Sequence, residues 1–129
     1  MAQKDIELIL TRQLASHLAT PIFLVDAAGV LVYFNEPAEA ILGQRFEETG
    51  ELPAEALAQV FHATREDGTP IAAEEMPLVI ALTRGEPSHR RFFIRGLDGV
   101  RRCIEATALP LVGHGGRRLG AMATFWEIR

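Results

Sequence analysis

The order of strand-like and helix-like segments along the chain is the feature that most constrains its fold. Residues 21–26 and 30–35 are rich in Ile, Val, Phe and Tyr, and the short connection between them contains Gly29, which predicts a β-hairpin. Helix-like sequence fills the middle of the chain. Three further strand-like segments follow, at residues 89–95, 100–109 and 119–128. Few small domains combine two strands, several helices and then three strands in this order.

The last strand-like segment indicates how the sheet is covered. Neither of its faces is polar: one carries Ala121, Ala123 and Phe125, and the other carries Met122, Thr124 and Trp126. A strand that is apolar on both faces is central in its sheet or covered on both sides. We therefore predict an α+β fold with a five-stranded antiparallel sheet, helices on one face, and a flanking N-terminal helix or a second subunit on the other.

Residues 4–18 have the pattern of an amphipathic helix with one apolar stripe. The stripe is formed by Ile6, Leu10, Leu14 and Leu18, which recur every four residues, and is widened by Ile9. No later element is assigned to cover this stripe, so we predict that it joins two copies of the chain as a homodimer. The predicted organisation is a flanking dimerisation helix at residues 1–18 and a globular domain at residues 19–129.

Capping signals predict three helices between the two groups of strands. The first follows Asn35 as its N-cap and is closed by Gly43. The second is predicted at residues 53–64. The third is predicted at residues 74–83, with Pro77 tolerated in its first turn.

The distribution of charge is uneven. The formal net charge is −4, which argues against a nucleic-acid-binding protein. Residues 1–87 carry 5 basic and 14 acidic side chains, whereas residues 88–129 carry 8 basic and 3 acidic ones. We interpret the basic part as a solvated sheet face or edge, with a docking patch for an acidic partner as the alternative.

The length of 129 residues predicts a single domain. Cys103 is the only cysteine, so no intrachain disulfide can form and a reducing compartment fits. No apolar run approaches the roughly 18 residues that cross a membrane, and the N-terminus lacks a signal-peptide pattern. We expect a cytoplasmic chain, or a soluble module of a larger protein.

The residues that commonly carry catalysis or bind metals are scattered. The four histidines, His17, His62, His89 and His114, do not have metal-ligand spacing with each other or with Cys103. The two serines have no His–Asp partners at a recognisable spacing. We therefore predict no catalytic and no metal site, and no enzyme activity.

The arrangement as a whole resembles the PAS domain family over about residues 17–128. The segments that carry the resemblance are residues 21–29 (opening hairpin), 34–43 (second strand and first helix), 67–70, 74–78 and 81–86 (before the third strand) and 119–128 (final strand). The resemblance implies a five-stranded antiparallel sheet cupped by short helices around a pocket. It also implies sensing and dimerisation in signalling proteins, many of them bacterial, and no catalysis by the domain itself.

Departures from the family pattern bear on the cofactor. The flavin-binding light sensors of the family carry a reactive Cys after the first helix, where this chain reads Gly43-Gln44-Arg45-Phe46. The oxygen sensors place a haem-ligating His before the third strand, and residues 74–84 contain none. The resemblance therefore argues against flavin–thiol photochemistry and against haem, and leaves any cofactor unknown.

The candidate ligand pocket lies between the sheet and the middle helices. Its predicted lining is Asn35, Met76, Val79, Phe92, Ile94, Ile104, Ala123 and Phe125. The same residues also describe a filled hydrophobic core, and the sheet face that meets the helices is left open.

The predicted function is a sensory and dimerisation module that binds a small ligand or a partner. It would relay the signal past Glu127 to an effector outside this chain, such as the histidine kinase of a two-component system or a cyclic-nucleotide enzyme. Two alternatives are a cone-shaped α+β enzyme or binding protein of the steroid-isomerase kind and a structural dimeriser without a ligand. The first is disfavoured because a hairpin precedes the helices and no Asp–Tyr pair is evident.

Overall fold

The computed structural model describes residues 6–128 of the chain. Its helices and strands, in chain order, are α1 (Ile6–Ser16), β1 (Ile22–Asp26), β2 (Val30–Phe34), α2 (Glu36–Leu42), α3 (Phe46–Thr49), β3 (Leu52–Pro53), α4 (Leu57–Val60), α5 (Pro77–Arg84), β4 (Ser88–Arg95), β5 (Arg101–Val112) and β6 (Arg118–Glu127). Short 3₁₀ turns lie at residues 54–56, 73–75 and 114–116. The first residues of the predicted N-terminal helix lie outside the described range.

The strands form one antiparallel sheet in the order β3-β2-β1-β6-β5-β4. The sheet has six strands, so the prediction of five is wrong by one edge strand. The additional strand, β3, pairs Leu52 with Leu31 and Pro53 with Val30. Proline cannot donate to a ladder and is tolerated only at an edge, so a two-residue strand that contains it has no recognisable sequence pattern.

The central position of β6 confirms the interpretation of its two apolar faces. β6 pairs with β1 on one side and with β5 on the other, so the two ends of the chain meet in one sheet. The pairing with β1 needs Gly120, because a Cβ there would collide with the carbonyl oxygen of Val25. Gly120 also has a φ of +145°, a conformation that other residues rarely adopt.

Helices α2 to α5 and the turns between them cover the inner face of the sheet. Phe92 and Ile94 share one face of β4, and the structure shows that this face points inward, where Ile104 and Phe125 join them from the other two strands. These side chains are buried in the main hydrophobic core.

Helix α1 packs on the outer face, against β1 and β6. The side of α1 that faces the sheet carries Leu8 and Ala15, both buried, and Leu8 packs with Leu24 and Val32. The guanidinium of Arg12 lies 4.8 Å from the centre of the Tyr33 ring. The N-terminal segment is therefore an integral cover of the outer face.

The two longer predicted middle helices are shorter in the structure. The segment predicted as a helix at residues 53–64 contains the second residue of β3, a 3₁₀ turn and the four-residue α4. Helix α4 ends at Val60, shortly before His62, whose φ is +51°. Helix α5 begins at Pro77 rather than at residue 74, because Met76 precedes a proline and is extended. Gly85 ends α5 in the left-handed conformation.

Candidate functional site

An apolar cavity of about 50 Å³ lies between the inner face of the sheet and the helices. Seven of the eight predicted pocket residues line it: Met76, Val79, Phe92, Ile94, Ile104, Ala123 and Phe125. Asn35, the eighth, does not. The structure thus brings these seven side chains together, and ligand binding by them remains a prediction.

Sequence reasoning missed part of the lining, including Phe23, Leu42 and Phe61. The Phe23 ring centre lies 5.1 Å from that of Phe125 and 6.4 Å from that of Phe61. Alternation along β1 separates Phe23 from Leu24, but both faces of β1 are apolar, so alternation alone does not reveal which face is inward.

The size and chemistry of the cavity limit what it can hold. Typical small-molecule sites measure roughly 300–1,000 Å³, and one water occupies about 30 Å³ in the liquid. The lining consists of apolar side chains, so it offers no polar side chain to orient a ligand. In this conformation the cavity fits only a very small apolar molecule, and neither a haem nor a flavin ring system.

Asn35 forms a different structure, which we call the N-terminal joint. Its side chain is fully buried, and its Oδ1 accepts hydrogen bonds from the backbone N–H groups of Ile22 (2.9 Å) and Ala38 (3.3 Å). Its Nδ2 donates to the carbonyl oxygens of Ala15 (3.0 Å) and Thr20 (2.8 Å). One amide therefore connects the end of α1, the start of β1 and the first turn of α2, in addition to its predicted role as N-cap.

Glu127 lies at the end of β6 in a group of three charges, which we call the C-terminal joint. Arg102 Nη2 lies 3.0 Å from Asp98 Oδ2, and Arg102 Nε lies 3.8 Å from Glu127 Oε1. The hydrogen bond from Arg102, helped by one from the backbone N–H of Val100, holds the pKa of Asp98 below its usual value. Arg102 thus links the β4–β5 turn to the end of β6.

The C-terminal joint also contacts the end of α2. The backbone N–H of Leu97 donates to the carbonyl of Leu42 at 2.9 Å. Gly43 approaches the joint so closely that a Cβ there would lie 2.7 Å from Cγ of Asp98. Because Leu42 also lines the cavity, one wall of the cavity directly contacts the β4–β5 turn, whose Asp98 pairs with Arg102.

The apolar stripe of α1 is the third candidate site. Leu18 lies beyond the end of the helix, which is at Ser16 rather than at residue 18 as predicted, and the other members remain exposed because α1 turns its opposite side to the sheet. Their exposed fractions are 69% for Ile6, 44% for Ile9, 56% for Leu10, 62% for Leu14 and 40% for Leu18.

The side chains that commonly bind metals are dispersed in the described part of the chain. Within residues 6–128, no three or more His, Cys, Asp or Glu side chains are arranged to hold a metal ion. The Ser16 hydroxyl donates to the carbonyl of Gln13, and Nδ1 of His89 lies 2.7 Å from the Thr107 hydroxyl. None of the helices described is long and apolar enough to cross a membrane.

Comparison with known proteins identifies the family. The PAS fold family matches residues 10–128, so the chain belongs to the PAS fold family. No curated protein sequence matches the chain. The cone-shaped fold of the steroid-isomerase kind, considered from the sequence, is therefore not the fold of this chain.

Solved PAS structures superpose on nearly the whole chain. The PAS domain of nitrogen regulation protein NR(II) from Vibrio parahaemolyticus is 19% identical, with 92% of this chain and 98% of that chain covered and a TM-score of 0.63. The PAS domain of the fruit-fly ELK potassium channel is 12% identical, with 98% of each chain covered and a TM-score of 0.72. The Rhodobacter sphaeroides LOV protein is 15% identical, with 96% and 68% covered and a TM-score of 0.70. At these identities the likeness shows the fold alone.

Proposed function

We propose that this chain is a non-catalytic sensory and dimerisation module. It forms a homodimer and passes a signal to an effector outside the chain, such as a histidine kinase or a cyclic-nucleotide enzyme, in a bacterial cytoplasm. The observation that carries the proposal is the exposed apolar stripe on a helix whose other side is attached to the sheet.

The occupant of the stripe is a second copy of the chain. Leu8 and Ala15 hold α1 against the domain, so the stripe has a defined direction and cannot simply turn inward. Two identical stripes related by a two-fold axis are self-complementary. Burying two leucines from each partner stabilises the dimer by about 1.5–3 kcal/mol per side chain, before the costs of association.

The relay runs from α2 to the C-terminal joint. A displacement of α2 would move Leu42 at the cavity and Gly43 at Asp98 together, and Arg102 would transmit this to Glu127. The contacts make the route continuous. Transmission of a signal along this route requires that α2 and the C-terminal joint adopt two arrangements.

The signal has two candidate sources. A small apolar molecule in the cavity is one, and a partner that changes the dimer is the other. The small volume favours the second source. If no ligand binds in the cavity, the chain acts as a structural dimeriser.

Sedimentation velocity of the full chain tests the dimer. The unaltered protein should sediment as a dimer at tens of micromolar. Replacing Leu10 and Leu14 together with Glu should give a monomer with an unchanged far-UV CD spectrum, because both side chains are exposed. Leu97→Glu is the matched control, since Leu97 is also exposed but lies far from α1 in the sequence, and it should remain dimeric. A monomeric unaltered chain, or a dimer that survives the double change, contradicts the proposal.

A further inference from the structure

The basic residues of the second half of the chain fall into two groups. Three of the six arginines on the strands have a carboxylate partner: Arg90 has Glu75, Arg91 has Glu105 and Arg102 has Asp98. Arg95 and Arg101 form no ion pair with any described carboxylate. Arg118 on β6 also forms no ion pair with a described carboxylate, but Arg95 and Arg101 are the two such arginines that lie on neighbouring strands as direct partners.

Arg95 and Arg101 also face each other. They are directly opposite partners in the β4–β5 ladder, the last pair before the turn. Like charges directly opposite each other on neighbouring strands destabilise a sheet, unless an anion lies between or beside them. The arrangement costs stability and places two arginine side chains on the same face of the hairpin.

The two arginines line a small cleft beside the β4–β5 turn, which we call the hairpin cleft. Its volume is about 150 Å³, and its lining is His62, Thr64, Gly68, Ile94, Arg95 and Arg101. This is about five times the ~30 Å³ of a water molecule in the liquid, which suits a small anion with a few waters. No carboxylate side chain is part of the lining.

The guanidinium groups are positioned by neutral partners. Arg95 Nη1 donates to the carbonyl of Gly99 at 2.7 Å, and Arg101 Nη2 donates to the carbonyl of Glu66 at 3.2 Å. The guanidinium of Arg101 also stacks 4.0 Å from the centre of the Phe93 ring. Each arginine has five N–H donors in a planar fork, so donors remain for a further oxygen ligand.

Two acidic side chains close to the cleft along the chain, those of Asp98 and Asp67, are already engaged, and that of Glu66 is not part of the cleft lining. Asp98 accepts from Arg102, and Asp67 accepts from the N–H and hydroxyl of Thr69. These hydrogen bonds hold the pKa of both carboxyl groups below the usual value, so both are charged at neutral pH and satisfied elsewhere.

His62 adds a further donor at an energetic cost. It is the only described residue other than glycine with a positive φ, and that conformation costs an ordinary residue roughly 1–2 kcal/mol. A glycine would avoid the cost but would remove the imidazole from the cleft. Strained residues of this kind are common where a side chain serves a ligand.

We propose that the hairpin cleft binds a small oxyanion, a phosphate or carboxylate group, through Arg95, Arg101 and His62. The paired guanidinium forks would receive the anion oxygens, and the imidazole N–H would donate a further hydrogen bond. The site lies outside the apolar cavity and gives the module an input for a charged molecule that the cavity cannot accept.

The test is a titration of the full chain with sodium phosphate, followed by amide and arginine side-chain NMR shifts. Sodium chloride keeps the ionic strength constant at about 0.15 M, so that screening does not change. Saturable shifts confined to residues around the cleft are expected, and Arg95→Gln and His62→Gly should each weaken binding, the first by about tenfold. Sodium acetate in a parallel titration distinguishes a carboxylate ligand from a phosphate ligand, and saturation by either supports the site.

Arg118→Gln is the matched control. Arg118 is also exposed and donates to a backbone carbonyl, that of Leu82, but it lies outside the cleft. Its replacement should leave binding unchanged. Arg95→Lys, which keeps the charge but loses the fork, should bind with intermediate strength and guards against a folding defect in the Gln variant. Shifts that do not saturate, or equal weakening by Arg118→Gln, overturn the proposal.

Discussion

The two joints of the molecule use opposite means to hold a chain terminus. The N-terminal joint is one neutral amide, fully buried, with its oxygen and nitrogen each hydrogen-bonded to backbone groups. The C-terminal joint is a set of charges whose side chains are partly exposed, 33% for Asp98 and 29% for Glu127. The first joint connects three elements of the core, whereas the second connects a turn and the end of a strand.

This difference indicates which joint is fixed and which can respond. Moving α1 would leave buried polar groups of the N-terminal joint without hydrogen-bond partners, and this costs their full desolvation free energy. The N-terminal joint therefore holds α1 in one arrangement. Partly exposed ion pairs contribute little, because water competes for both charges. The weak ion pairs of the C-terminal joint can therefore shift between arrangements without unfolding the domain.

The largest effect is expected for Asn35→Ala. The change leaves buried backbone donors and acceptors at the N-terminal joint without a partner, and should lower the free energy of unfolding by about 3–5 kcal/mol. Urea denaturation measures the loss, and hydrogen exchange should show that α1 opens first. Ser16→Ala is the control, because this exposed hydroxyl bonds only to Gln13 at the end of α1 and should matter by less than about 0.5 kcal/mol. A loss below about 1 kcal/mol in Asn35→Ala would remove the contrast between the joints.

A middle effect is expected for Gly43→Ala, which tests the contact between α2 and the C-terminal joint. The substitution combines a φ of +77° with crowding against Asp98, and should cost about 2–4 kcal/mol. Gly115→Ala is the matched control, since Gly115 has nearly the same φ and ψ as Gly43, +72° and +19°, but open space around it. It should cost only the roughly 1–2 kcal/mol of the backbone conformation. Equal losses of stability in thermal unfolding for both variants would show that contact between α2 and the C-terminal joint adds no cost to Gly43→Ala.

The smallest effect on stability is expected for Glu127→Gln. Removal of one charge from a partly exposed pair should change stability by less than about 1 kcal/mol, so the melting temperature should stay nearly constant. The output of a fusion to the native effector should nevertheless change, because Arg102 would then be held by Asp98 alone. Glu74→Gln controls for loss of charge, since Glu74 is exposed and forms no ion pair with any residue among 6–128. Unchanged output, or an unfolded domain, would show that Glu127 is not a relay.

Much of the fold could be predicted from local patterns. The content of Ile, Val, Phe and Tyr and the position of Gly29 identified the strands of the hairpin, and the two apolar faces of β6 agreed with its central position. The same patterns did not reveal β3 or the early end of α4, because both depend on pairing partners and backbone angles. The candidate pocket was mostly predicted because inward alternation and apolar character coincide, while its small volume was not, because volume depends on how side chains interlock.

By itself, the sequence determined the order of strands and helices, the family and the apolar stripe of α1, since these are periodicities and motifs carried by neighbouring residues. Only the tertiary structure decided which side of α1 meets the sheet, what Asn35 binds and that Arg95 and Arg101 share a cleft with His62. The reason is physical. A helix or strand pattern is set within a few residues, whereas the partner of a buried amide or an uncompensated charge is set by segments that are distant in sequence and meet only when the sheet closes.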